Sequence, residues 1–155
     1  MFKNKFLSFI IFAIITFSAS FIGAIATFTS KEPWYSELSK PVFTPPDWVF
    51  GPVWTLLYLS MTIAIWSVWN KNFRNLNIIY IYFIHLFFNT TWSIIFFAFH
   101  KLFMAFIVLI ILIILIVLLI ARFRRVNMLS YYLMIPYLLW CFYALFLNFN
   151  LLILN

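Results

Sequence analysis

Apolar residues run almost without interruption along this chain, and the few breaks divide it into five segments of helical length, at 6–28, 48–69, 76–99, 102–121 and 128–154. A helix of about 20 apolar residues crosses the roughly 30 Å hydrocarbon core of a bilayer. Membrane-spanning strands are about half as long and alternate between apolar and polar residues, which these segments do not. The pattern therefore predicts an all-α membrane protein with five transmembrane helices.

Most of the connections between these segments are only a few residues long, which predicts antiparallel neighbours in one compact bundle and a single domain over residues 1–155. The first connection is the exception, because it is long and rich in aromatic residues and proline. Proline fixes φ and restricts the residue before it, so we expect no helix there until after Pro46. A stiff aromatic connection favours a folded lid over a cavity.

The first segment also has features of a cleavable signal peptide. Lys3 and Lys5 precede the apolar run, and small residues at 18–20 or 24–26 follow it. The run is longer than a typical signal core, and four more apolar segments come after it. We therefore favour an uncleaved first helix, with the signal peptide as the alternative.

Composition and charge add an orientation to this picture. The 155 residues are 67% hydrophobic and 8% charged, with a mean hydropathy of +1.11, which is too apolar for a water-soluble fold of this size. The side that holds the N-terminus carries seven basic residues and no acidic ones: Lys3, Lys5, Lys71, Arg74, Arg122, Arg124 and Arg125. The other side carries three of each: Lys31, Lys40, Lys101, Glu32, Glu37 and Asp47. This bias predicts a cytoplasmic N-terminus, with the first loop and the C-terminus outside. The scattered basic residues give no support for nucleic-acid binding.

Helical spacing places the polar and aromatic residues of three segments on single faces. The faces are Trp54, Tyr58 and Met61 in the second segment, His85, Asn89, Trp92 and Phe96 in the third, and Tyr137, Trp140, Ala144 and Asn148 in the fifth. Asn and His are costly in hydrocarbon, so we expect these faces to meet inside the bundle around an aromatic cavity. The fourth segment has no polar side chain from 103 to 120 and is expected to be the most lipid-exposed wall. A small-residue face around Gly23 on the first segment predicts close helix approach or space for a ligand.

Simpler interpretations exist for several of these residues. Trp34, Trp48 and Trp69 are expected to be interfacial anchors, and the deeper tryptophans could merely pack. His85 has no second histidine or carboxylate at ligand spacing, and the single cysteine, Cys141, forms no disulfide within one chain, so we predict no metal site. The apolar segments lack the carboxylates of a proton relay, and the chain lacks the motifs of hydrolases and kinases.

Three blocks of the sequence, 34–58, 88–97 and 136–148, closely resemble the translocator protein family, also called TspO or tryptophan-rich sensory proteins. The resemblance implies a five-helix bundle, often dimeric, that binds porphyrins such as protoporphyrin IX and haem as ligands and needs no other cofactor. It implies a sensor, receptor or carrier in the membrane. The composition hints at a bacterial cell membrane.

The resemblance also assigns roles to residues. Its ligand-binding positions here are Tyr35, Pro45, Trp54, Tyr58, Asn89, Trp92, Trp140 and Ala144. His85, where family members often carry Gln, joins this set because it shares the Asn89 face. Trp54 and Trp140 match tryptophans on which photochemical porphyrin breakdown depends in the family. The alternative function is therefore a light-dependent porphyrin-degrading enzyme, with these two tryptophans as its catalytic residues.

Overall fold

Helices form nearly the whole molecule. The computed structural model describes residues 4–71 and 76–155, so two of the basic residues used for orientation, Lys3 and Arg74, lie outside the described residues. The helices are α1 (Lys5–Ser30), α2 (Trp34–Glu37), α3 (Asp47–Lys71), α4 (Leu76–Ser93), which continues as a π-helix (Ile94–Ala98), α5 (Leu102–Val126) and α6 (Met128–Leu154).

Five of these helices are long and apolar enough to span a membrane, as the sequence predicts. The predicted ends differ from the observed ends by two residues or fewer, except in α5, which continues to Val126 through a run of arginines. Because arginine is a good helix former, the helix continues beyond the apolar run and ends at Val126, with Asn127 as its C-cap. The side chain of Asn127 then accepts a hydrogen bond from the Leu129 amide and caps the start of α6.

The five long helices pack as a closed ring in the order α1, α3, α6, α5, α4 and back to α1. Helix α1 lies between α3 and α4, although these two are consecutive among the spans. We call the end of the bundle with residues 31–46 the loop end, and the opposite end the N-terminal end. Residues 31–46, including α2, are called the first loop.

The expectation that the fourth segment is the most lipid-exposed wall is wrong. A larger share of α5 is buried than of any other span, and α1 has the smallest buried share. The buried side chains of α5 recur at helical spacing: Ala105, Leu109, Leu112, Ile113, Ile116, Leu119 and Phe123. Leu and Ile suit protein and lipid surroundings equally well, so the absence of polar residues does not identify a lipid-facing helix.

The prediction that no helix precedes Pro46 is also wrong, because α2 forms one turn at Trp34–Glu37. Pro33 occupies the N-cap of that turn, and a proline at a helix start removes no hydrogen bond that the helix needs. The next proline, Pro41, comes after the turn has ended. Helix α3 does begin directly after Pro46, as predicted.

Two of the expected interfacial anchors have different environments. Trp48 is 75% exposed, as expected of an anchor. Trp69 is only 7% exposed and packs edge-on against Phe12 of α1, with 5.8 Å between the ring centroids. The indole of Trp69 therefore joins α3 to α1 rather than facing the membrane surface.

The small-residue face of α1 serves close helix approach. A Cβ atom added to Gly23 would lie 3.2 Å from the Ser93 hydroxyl oxygen, and the Thr90 hydroxyl donates to the Ala19 carbonyl at 3.3 Å. The absence of a side chain at Gly23 thus lets α1 and α4 approach.

Replacing Gly23 by leucine is expected to destabilise the bundle by about 1–3 kcal/mol, because the side chain must force α1 and α4 apart. Unfolding of the purified protein by denaturing detergent measures this. Gly51→Leu is the matched control, since a Cβ there meets nothing within 4 Å. Equal stability of the two variants would contradict the close packing of α1 on α4.

Candidate functional site

A hydrogen-bonded cluster of three side chains joins α3, α4 and α6 inside the bundle. The Tyr58 hydroxyl donates to Oδ1 of Asn89, and Nδ2 of Asn89 donates to the Tyr137 hydroxyl at 2.9 Å. All three side chains are buried. The polar faces predicted for these helices therefore meet, but at this level the side chains fill the space between them.

His85 lies one turn from Asn89 on the same face of α4 and is fully buried. Its Nδ1 atom is 2.8 Å from the Tyr82 carbonyl oxygen, and a carbonyl can only accept, so Nδ1 carries the proton. In the neutral imidazole, Nε2 is then an acceptor. It is buried without a hydrogen-bond partner in the described part of the chain, and the ring lies edge-on to Tyr137 at 5.6 Å.

The hydrogen bond behind Tyr82, whose ring packs against His85, could not be predicted from the sequence. The hydroxyl of Tyr82 is 2.7 Å from that of Thr16, which links α4 to α1, and both residues are fully buried. Thr16 lies within an apolar run of α1, and threonine is common in membrane helices as a donor to its own backbone. Only its distant partner on α4 shows that its hydroxyl bonds another helix.

Nearer the loop end, two more buried polar groups lack hydrogen-bond partners among residues 4–71 and 76–155. They are Nε1 of Trp92 and both polar atoms of the Asn148 amide. A buried polar group without a partner costs about 1–3 kcal/mol, so such groups are uncommon in folded proteins. They mark the interior below the first loop as the place where polar groups of a bound molecule could be accommodated.

Trp92 lies two residues before the π-helical turn at Ile94–Ala98. Such turns place one more residue in the helical turn than an α-helix does and are frequent at functional sites. The turn directs Phe96 and Phe97 against each other at 4.7 Å and brings both within about 6 Å of the Trp92 ring. The sequence of this turn is an ordinary apolar run, so the π-helix could not be predicted.

The two tryptophans of the predicted catalytic pair have different ring partners. Trp54 packs against Tyr58 at 5.7 Å and edge-on against Tyr137 at 6.3 Å, so it borders the polar cluster. Trp140 packs against Phe50 at 6.0 Å and Tyr143 at 5.6 Å. Both indoles are partly exposed and lie at the edge of the core, together with Ala144.

Tyr35 of α2 anchors the first loop. Its buried ring lies 6.3 Å from Phe96 and 5.9 Å from Phe97, which connects it through these rings to Trp92. Burial, reinforced by the negative charges of Asp47 and Glu32, raises the pKa of Tyr35 to about 12, so the phenol stays protonated at physiological pH. The ammonium groups of two lysines stand over its ring, Lys40 at 4.3 Å and Lys31 at 5.1 Å.

Further contacts fasten the first loop to α6. The Tyr143 hydroxyl donates to the Phe43 carbonyl at 2.8 Å, and the Phe43 ring stacks on Phe146 at 5.0 Å. The Asn155 amide accepts from the Ser39 N–H at 2.9 Å and donates to the Ser39 carbonyl at 3.1 Å. The loop is therefore a packed cover on the bundle, whose position is set mainly by α6 and the end of α4.

The predicted site residues thus fall into three groups. Tyr58, His85 and Asn89 form the buried centre, with Trp54 beside it. Tyr35 and Trp92 are connected through Phe96 and Phe97 at the loop end, while Trp140 and Ala144 lie on α6. Pro45 is half-buried in the first loop.

Two cavities lie elsewhere on the bundle, and neither is lined by a predicted site residue. One, of about 230 Å³, lies between α1, α3 and α4 toward the N-terminal end. The other, of about 370 Å³, lies at the loop end beside Met104 and Asn155.

Comparison with known proteins identifies related chains across nearly the whole length. The model of the TspO/MBR family matches residues 10–154. A tryptophan-rich protein TspO of Archaeoglobus fulgidus is 34% identical, covering 87% of this chain and 88% of that protein. One from Chlorobaculum tepidum is 37% identical, over 84% and 85% of the two chains. A tryptophan-rich sensory protein of Cereibacter sphaeroides is 32% identical, over 91% and 90%.

Replacing Asn89 by leucine is expected to destabilise the bundle by about 1–3 kcal/mol, because two buried tyrosine hydroxyls lose their partner. Detergent unfolding measures the loss, with Asn150→Leu as control, since the Asn150 amide donates to the Phe146 carbonyl of its own helix rather than joining two helices. Adding Tyr58→Phe to Asn89→Leu should cost less than Tyr58→Phe alone, because the bond is already gone. Additive effects would show that the Tyr58–Asn89 bond contributes little.

Proposed function

The chain belongs to the TspO/MBR family, and from this premise we propose that it binds a porphyrin, haem or a similar flat hydrophobic molecule within the membrane and acts as a sensor or carrier. The observation that carries the proposal is that buried polar atoms of Trp92 and Asn148 have no hydrogen-bond partner within residues 4–71 and 76–155, and that the Trp92 indole lies against Phe96 and Phe97. Ligand sites combine a mainly apolar wall with a few convergent polar groups in this way.

The aromatic residues supply the apolar wall. Trp54, Trp92 and Trp140 are all partly buried and pack against the core from three faces of the ring. A flat conjugated macrocycle gains about 0.5–1.5 kcal/mol for each stacked or edge-on aromatic contact, beyond the area that it buries. Ala144 is the small residue on the α6 face, so a larger side chain there would occupy space next to Trp140.

The polar groups suit the rest of a porphyrin. The indole N–H of Trp92 and Nδ2 of Asn148 can donate to propionate oxygens, and Oδ1 of Asn148 can accept from pyrrole N–H groups. At the rim, Lys31 is already paired with Asp47. Lys40 stands over Tyr35 and has no ion pair within residues 4–71 and 76–155, so it is the lysine that we expect to meet a propionate.

The first loop covers this region at the loop end of the bundle. The loop is held by the Tyr143–Phe43 and Asn155–Ser39 hydrogen bonds, and the polar centre closes the route from the other end. A ligand therefore enters by displacing the loop or by passing between helices. The name of the Cereibacter sphaeroides relative, a sensory protein, supports a signalling role.

Titration with protoporphyrin IX in the dark is expected to quench tryptophan fluorescence at micromolar ligand. Ala144→Leu should weaken this binding at least tenfold, because the added side chain enters the ligand space. Ala121→Leu is the matched control, since Ala121 is exposed on α5. Unquenched wild-type fluorescence, or equal affinity of the two variants, would contradict the proposal.

We also propose that the N-terminus is cytoplasmic and the first loop is outside, in a bacterial cell membrane. The support is the basic bias of the N-terminal end, to which Lys5, Lys71 and the arginines at the end of α5 contribute.

Cysteine labelling tests the orientation, because the only native cysteine, Cys141, is buried. In intact cells, an impermeant maleimide is expected to label Ser39→Cys in the first loop but not Asn70→Cys near the end of α3. Opening the membrane should expose the second site. Labelling of Asn70→Cys alone in intact cells would reverse the proposed orientation.

A further inference from the structure

We propose that the cavity between α1, α3 and α4 binds an acyl chain of an anionic phospholipid, whose headgroup is held by Lys5 and Lys71. This site is separate from the proposed porphyrin site. It lies at the opposite end of the bundle and shares no residue with it.

The cavity has a lining that suits a hydrocarbon chain. It has a volume of about 230 Å³ and is lined mainly by apolar side chains: Ile11, Phe12, Ile15, Trp69, Ile79 and Phe83. Its one hydroxyl from α1, that of Ser8, already donates to the Lys5 carbonyl at 2.9 Å. This mainly apolar lining suits a flexible apolar chain.

The cavity opens to the side of the bundle rather than into its centre. Of its lining residues on α4, Tyr80 is 61% exposed and Phe83 is 37% exposed. A lateral apolar groove on a membrane-spanning bundle faces lipid, so a lipid chain is its default occupant. The charged residues near the groove then determine which headgroup this lipid carries.

Two lysines at the helix ends nearest the groove favour an anionic headgroup. Lys5 lies one helical turn before Ser8, and Lys71 lies two residues after Trp69. The Trp66 indole N–H donates to the Lys5 carbonyl at 3.0 Å, which joins the ends of α1 and α3 that carry these lysines. Both lysines are exposed, and neither has an ion pair within the described ranges.

This arrangement is that of a basic pocket between membrane helices, which attracts anionic headgroups. A zwitterionic lipid supplies the chain but no net charge to balance the lysines. A second copy of the chain is disfavoured on the same face, because a two-fold contact sets each surface against itself and would bring four lysines together. The charge thus selects an anionic lipid over both alternatives.

Brominated lipids test the proposal, because bromine quenches nearby indoles and Trp69 lines the groove. The full chain is reconstituted with increasing fractions of phosphatidylglycerol or phosphatidylcholine that carry brominated acyl chains. The Trp69 signal is the difference between the wild-type chain and Trp69→Phe. We expect the phosphatidylglycerol to quench it at a roughly tenfold lower membrane fraction.

The lysines are tested in the same assay. Lys5→Gln combined with Lys71→Gln should abolish the preference, whereas Lys101→Gln, a lysine removed at the loop end, should leave it intact. High salt should weaken the preference by screening the exposed charges. Equal quenching by the two lipids in the wild-type protein overturns the proposal, as does a preference that survives loss of both lysines.

Two further outcomes are decisive. If neither lipid quenches Trp69 and crosslinking captures a dimer through α1, a second copy covers the groove and the proposal is wrong. If Trp69→Phe does not fold, native mass spectrometry of the wild-type and double-lysine variants measures retained phosphatidylglycerol against phosphatidylcholine. Equal retention by both proteins overturns the proposal.

Discussion

The Asn89 amide is the interaction on which the arrangement of this bundle depends. An amide in hydrocarbon has no water to bond, so its oxygen and nitrogen must find partners within the protein. Here the oxygen accepts from Tyr58 on α3 and the nitrogen donates to Tyr137 on α6. Apolar contacts alone tolerate sliding and rotation, whereas these two bonds fix the rotation of α4 against two other helices. The positions of His85 and Trp92 on the same helix follow from that rotation.

The span boundaries could be predicted because length and polarity are strongly constrained by the bilayer. The neighbours of each span could not, because hydrocarbon side chains do not distinguish lipid from protein. Helix α5 shows this most clearly, since its uniformly apolar sequence forms the most buried wall. Trp69 is a second case, because an indole near a helix end suits the membrane interface as well as it suits Phe12 of a neighbouring helix.

For the candidate site, helical spacing correctly placed Tyr58 and Asn89 on faces that meet. It could not give the pairing of atoms, the link from Tyr82 to Thr16, or the π-helical turn after Ser93. These features depend on side-chain reach and on one additional residue in a helical turn, neither of which leaves a signal in the sequence. The filled centre likewise depends on the bulk of two tyrosines meeting across the ring, which spacing along one helix does not reveal.

The ion pair between Lys31 and Asp47 joins the two ends of the first loop. The ion pair holds both ends of the loop against the loop ends of α1 and α3. The chain between them is therefore a short tethered loop with few accessible conformations. Most of the entropy needed to order this segment is therefore lost when the protein folds, and little remains to be lost when a guest molecule arrives. The first loop should consequently select ligands by shape, as a rigid binding site does, and should not adapt its conformation to ligands of different shapes.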